Sequence, residues 1–208
     1  MGRALSLLTA LLCAMLAQAQ ADSTWMRYQA GFAFREGVYF NFQAFRTNAP
    51  SVPKKDLLTQ QGQPVTDLRA TNGKLTYPDS TGARVKMDLD DLWGFCDNGV
   101  VHVRAGNGFS RIGLMGSISH LLFDATYRDW TAYSYGPVTY TVEVQRFLDM
   151  ESGAFLPVTA GGLYEVLKRD DLLKQEFDAL PKKQRNKEET IFLFMRRYNE
   201  RHPLYFPR

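Results

Sequence analysis

Cysteine is scarce in this chain, with two among 208 residues. Cys13 falls inside an apolar leader, so the segment beyond it keeps Cys96 alone and no internal disulfide is available to it. Its stability has to come from packing. Histidine is nearly as rare. His102, His120 and His202 are the full set, and none has the close spacing to another ligand that a zinc site needs. A surplus of one charge is missing too: the 25 basic side chains less Arg3 of the leader leave 24 against 22 acidic ones, a formal +2. Such a balance creates no overall field to attract nucleic acid or an anionic membrane. Long apolar runs are absent as well. None reaches the ~20 residues of a spanning helix, so no transmembrane segment is expected in the mature chain. Internal repeats and low-complexity tracts are likewise lacking, and no sequence pattern calls for a cofactor.

What the chain does have is apolar material. At 45% hydrophobic and 13% aromatic residues it can bury a full core. Residues 1–21 combine Arg3, an apolar run from Ala4 to Leu16, and the small-residue pattern Ala17-Gln18-Ala19, which together read as a cleaved export signal. Leu12 precedes Cys13 where a lipobox wants a small residue, which disfavours a lipoprotein. The product is expected to be periplasmic, envelope-associated or secreted.

The clearest structural signal runs from Leu92 to Arg104, two short apolar stretches joined by Asn98-Gly99. A type I′ turn needs positive φ at both central positions, which Asn and Gly tolerate best. Counting outward, Asp97 faces Val100, Cys96 faces Val101, Phe95 faces His102 and Trp93 faces Arg104. One face is then Leu92, Gly94, Cys96, Val101 and Val103. The other sets Trp93 and Phe95 against Arg104 and His102, a surface that either packs under another layer or meets a ligand.

Alternating patterns extend the sheet. Gly37 to Phe45 reads as a half-buried core strand, Arg84 to Asp90 alternates charged with apolar, and Val138 to Gln145 alternates again. Residues 51–80 are turn-rich with one or two minor strands, and the glycines between Phe109 and Phe123 suggest bulges. After residue 158 the period changes. Leu163, Val166, Leu167, Leu172, Leu173 and Phe177 recur at helical spacing around Asp170, a suitable N-cap, and Ile191, Met195 and Tyr198 mark a last helix ended by Pro203. The expectation is an α+β fold: a curved antiparallel sheet or partly open barrel over 22–158, followed by two or three packed helices within 159–208.

Candidate chemistry is thin. Gly106-Asn107-Gly108 opens like a dinucleotide fingerprint, but Arg111 stands where the third glycine belongs and strand follows instead of helix. Ser117, Ser119, His120 and Asp124 lie together without a Gly-x-Ser-x-Gly elbow, and polar residues on the outer face of a strand explain them. Asp149-Met-Glu151-Ser-Gly153 opens like a calcium loop but lacks the later glutamate, so a hairpin turn is expected and no metal site. The basic residues from Lys182 to Lys187, with Arg196, Arg197 and Arg201, are interrupted by Glu188, Glu189 and Glu200, as on a solvated helix face.

The succession of Gly37-Val-Tyr-Phe-Asn-Phe-Gln-Ala-Phe with Asn48-Ala-Pro, Leu92-Trp-Gly-Phe-Cys-Asp-Asn-Gly, Leu148-Asp-Met-Glu-Ser-Gly and Tyr198-Asn199 resembles a group of exported bacterial proteins to which no activity is assigned. The resemblance implies export and this order of elements, and transfers no site. With no nucleophile, base or metal set in view, a non-catalytic binding or accessory protein of the bacterial envelope is expected, the alternative being a hydrolase whose site assembles from distant residues. Envelope polysaccharide or another envelope protein are the partner classes considered. If a ligand site exists, it is placed on Tyr127 to Gly136, read as a loop, with Trp130, Tyr133 and Tyr135 as binding residues. The competing reading has these rings fold back over the sheet edge.

Overall fold

The computed structural model describes residues 25–70, 73–130 and 136–208. The export signal at 1–21, Tyr133 and Tyr135 lie outside them. The centre is the hairpin of β6 (Gly94–Asp97) and β7 (Val100–Ala105), in the register expected, with Phe95 opposite His102 and Cys96 opposite Val101. Asn98 and Gly99 take φ of 51° and 73°, the left-handed pair that the turn requires.

Around this hairpin an open antiparallel sheet of eight strands has grown, in the order β11-β10-β9-β8-β7-β6-β2-β3. Its further members are β2 (Gly37–Tyr39), β3 (Val52–Pro53), β8 (Gly108–Leu114), β9 (Ile118–Trp130), β10 (Pro137–Asp149) and β11 (Phe155–Pro157). The fold is α+β and the sheet does not close into a barrel. Its register slips between Ile112 and Leu114, at one of the glycines that suggested a bulge. Two small ribbons accompany it, β4 (Lys74–Pro78) with β5 (Arg84–Asp88), and β1 (Trp25–Arg27) with β12 (Tyr205–Pro207).

Around the central hairpin both faces of the sheet are covered. On one, Cys96, Val101 and Val103 join Phe34, Tyr39, Phe45 and Phe206 in an aromatic core. On the other, Phe95 is buried beneath Leu75 and Met87 of the β4–β5 ribbon, so this side of the hairpin packs under another layer. A third cluster joins Ile118 and Phe147 to the helices α2 (Ala160–Leu167), α3 (Asp171–Ala179) and α5 (Glu188–Arg201). Between α3 and α5 lies the single turn α4 (Lys182–Arg185). Asp170 caps α3 as expected, its carboxylate accepting from Leu173 N at 3.1 Å.

Four expectations need correction. The strand proposed over Gly37 to Phe45 ends at Tyr39, and Phe42–Arg46 forms a short helix, α1. The Asn41 side chain accepts from Ala44 N at 2.9 Å and so caps a turn in which Phe45 reaches Trp93 in a stacked pair with centroids 4.9 Å apart. Trp93 itself precedes β6, so the alternation stops at Gly94 and its ring joins the aromatic core, while Leu92 packs on the opposite side with Phe95. Tyr127 to Trp130 continue β9 and are not loop, since thirteen consecutive pairs link β9 to β10 as far as Trp130 opposite Pro137. Ser119 does not face outward: it is fully buried, its hydroxyl accepting from Gly116 N and donating to Gly116 O.

Candidate functional site

The β9–β10 hairpin leaves the sheet part-way along. The last support is Asn107 in the β7–β8 turn, whose Oδ1 accepts from Thr126 N at 3.1 Å and whose Nδ2 donates to Thr126 Oγ1 at 2.6 Å. The glycine-rich turn is thus a clamp on β9 and not a phosphate cradle. Beyond it four more residue pairs project, about 13 Å of free ribbon at strand rise. Opposed residues share a face, so one side carries Ala125, Tyr127 and Asp129 with Val142, Tyr140 and Val138. Of these Tyr127, Tyr140, Val138 and Val142 are all exposed, and the two tyrosines stack with centroids 5.9 Å apart. Trp130 lies on the opposite, polar side with Thr126 and Arg128, and is 74% exposed. The aromatics expected to form one platform therefore divide between two faces, because Tyr127 and Trp130 differ by an odd step along a strand.

A second feature is a cleft of about 460 Å³ where the β1–β12 ribbon and α5 meet the β10–β11 turn, lined among others by Trp25, Arg46, Asp149, Glu151, Tyr198 and His202. The turn holds itself together. Asp149 accepts from Glu151 N and from Ser152 Oγ, which leaves its carboxylate in the service of the hairpin. Arg169 then bridges both acids, Nη2 to Asp149 at 2.9 Å and Nη1 to Glu151 at 2.5 Å. Burial alone would raise the pKa of Asp149, but Arg169 and Ser152 outweigh it and hold the carboxyl below the usual range. Asp149 is therefore poorly suited to deliver a proton as a general acid. His202 donates through Nε2 to the Asp170 carboxylate at 2.8 Å and stacks on Tyr198. Ser117 donates to the His202 main-chain carbonyl and not to its ring, so the two do not form a nucleophile and base. His120 is occupied with Gln145 and Asp124 lies further along β9, opposite Glu143, so the polar cluster around Ser117 does not converge.

A third hollow, about 440 Å³, is lined by Phe95, His102, Arg104 and Phe109 with Asp88 and Asp90. It realises the aromatic and cationic face read from the hairpin. His102 stacks on Phe95 at 4.8 Å and burial lowers its pKa, favouring the neutral ring. Arg104 is spent on Asp90 at 2.5 Å. Among the described residues no three His, Cys, Asp or Glu side chains are grouped to hold a metal ion, and no helix is long and apolar enough to cross a membrane. Of the site residues expected from sequence, only Trp130 is within the described residues. The cleft was missed because its polar groups come from positions 46, 149–151 and 198, which no local spacing links. Comparison with protein-family models, with curated proteins and with solved structures finds no match to this chain.

Proposed function

We propose that the protein is exported and serves the bacterial envelope as a non-catalytic binding or accessory protein, gripping a protein partner through the β9–β10 ribbon. The observation that carries this reading is the uncovered apolar face. Val-Thr-Tyr-Thr-Val-Glu-Val has the period-two pattern of a strand with one side buried, yet Val138, Tyr140 and Val142 stand open together with Tyr127. Contiguous apolar surface on a projecting element marks a contact site, and Tyr rings supply rigid area with a polar edge.

The test is a variant with Tyr127→Ser, Tyr140→Ser and Val142→Thr. Because these side chains are exposed, its stability should fall by no more than the roughly 1 kcal/mol that a stacked cross-strand pair contributes, while co-migration with native envelope assemblies is lost. A large drop in melting temperature, or unchanged co-migration, would remove the ribbon from the reading. Export is checked separately by N-terminal sequencing of the protein from native cells, which should begin near Gln20 or Asp22, whereas an intact Met1 refutes it.

A further inference from the structure

The cleft beside the β10–β11 turn holds a polar group that the fold does not use. Tyr198 is 3% exposed, it lines the cleft, and its hydroxyl bonds to no protein group among the described residues and is not sealed from the cleft. A hydroxyl that faces only the cleft is free both to donate to and to accept from an occupant. Arg46, whose guanidinium lies over the Trp25 and Phe206 rings, also has a donor to spare. Its Nε donates to the Met150 carbonyl at 2.8 Å and Nη1 to that of Tyr205 at 2.7 Å, which positions the guanidinium without neutralising it and leaves Nη2 unspent. Glu151 gives Oε2 to Arg169 and keeps Oε1. Arg46 and Arg169 balance Asp149 and Glu151, so the cleft carries donors and acceptors with no net charge.

At its mouth stand two rings. Trp25 and Tyr205 are 53% and 42% exposed, and since Tyr205 opposes Arg27 while Trp25 lies two residues from Arg27, both point to one side of the β1–β12 ribbon. Flat rings beside mixed donors and acceptors at zero net charge match one chemical class, a polyhydroxylated ring whose C–H face stacks and whose hydroxyls give and take hydrogen bonds. An anion would meet the Glu151 carboxylate, and a cation would meet Arg46. We infer that this cleft is a binding site for a neutral saccharide, with Trp25 as the stacking ring and Tyr198, Arg46 and Glu151 as its polar contacts. It is separate from the ribbon and stands on different residues.

The experiment is calorimetric titration of the full mature chain with maltotriose and with the trisaccharide of N-acetylglucosamine. Saturable binding of at least one is expected, weakened about tenfold or more in Tyr198→Phe, a change on the order of 1.4 kcal/mol. That variant keeps the ring and its stack on His202, so its melting temperature should not fall. Trp130→Ala, on the ribbon, should bind as the parent does. Failure of both trisaccharides to bind, recognition of glucuronate in their place, or unchanged affinity in Tyr198→Phe would each overturn the assignment. None of these results bears on the ribbon.

Discussion

At Gly162 two residue-level preferences oppose each other. Alanine is favoured over glycine by about 1 kcal/mol inside a helix, and Gly162 belongs to α2. A Cβ there would overlap the carbonyl oxygen of Pro157, a main-chain atom with little freedom to move. Steric overlap should win, so Gly162→Ala is expected to lower the melting temperature where propensity alone says it would rise. Cys96 offers a second residue-scale expectation. Its thiol is fully buried and burial pushes its pKa up to about 12, with Glu36 and Asp97 adding to the effect, so the nucleophilic thiolate is suppressed. An aromatic disulfide reagent should leave it unmodified in the native protein and label it on unfolding. Labelling at the unfolded rate in native buffer would contradict this burial. Some such facts were legible beforehand: Asp170 precedes an apolar period, and capping is a local chemistry. The unpartnered hydroxyl of Tyr198 was not, because a missing partner is a property of three-dimensional surroundings and leaves no trace in spacing.

Among the elements, α5 packs on the sheet through its apolar face and is also hydrogen-bonded to it by Asn199. Asn199 accepts from Ile118 N at 2.7 Å and donates to Ile118 O at 2.8 Å, completing the start of β9 as a neighbouring strand would. Asn199→Ala leaves both main-chain groups without that partner, at about 1–3 kcal/mol each. Asn199→Asp is expected to do at least as badly, since it sets a carboxylate oxygen against the Ile118 carbonyl. Chemical denaturation of the two variants decides this, and a midpoint like the parent's would show that water replaces the amide. The hairpin register could be read from sequence because Asn98-Gly99 specifies its own geometry. Helix α1 could not, since Phe40, Phe42 and Phe45 satisfy spacing two and spacing three at once and only the Asn41 cap, seen in place, chooses between them. The ribbon was cut short for a related reason. Serine, glycine and proline near residue 136 suggested a long loop, whereas pairing with β10 carries the strand on to Trp130.

For the molecule as a whole, acid should loosen the attachment of the C-terminal helices. Asp170 is buried and caps α3 while binding Arg201 at 2.6 Å and His202 at 2.8 Å. Burial by itself would raise its pKa, but these partners and the Leu173 amide hold it far below the ordinary value, and Asp149 is lowered as well. A depressed folded-state pKa contributes stability that is fully present above the unfolded value of about 3.9 and is lost as pH falls toward the folded one. Beyond the loss that His102, whose pKa burial lowers, begins near the ordinary histidine value of about 6.5, melting temperatures should therefore decline further below pH 4, less steeply in Asp170→Asn, which keeps a capping oxygen without the charge. An identical slope in that variant would place the acid sensitivity elsewhere. The sheet-then-helix succession was readable from the change of period near residue 158, but the return of the chain to its own beginning was not. Trp25 pairs with Pro207, Phe206 is buried against Tyr28, Phe34 and Phe45, and Arg35 holds the Arg208 carbonyl from 173 positions away. Order of arrival then matters. A chain emerging from its amino end has nearly every aromatic of this core in place with no lid, and stays sticky until Tyr205 to Pro207 come out, so a stop before them would release an open hydrophobic face.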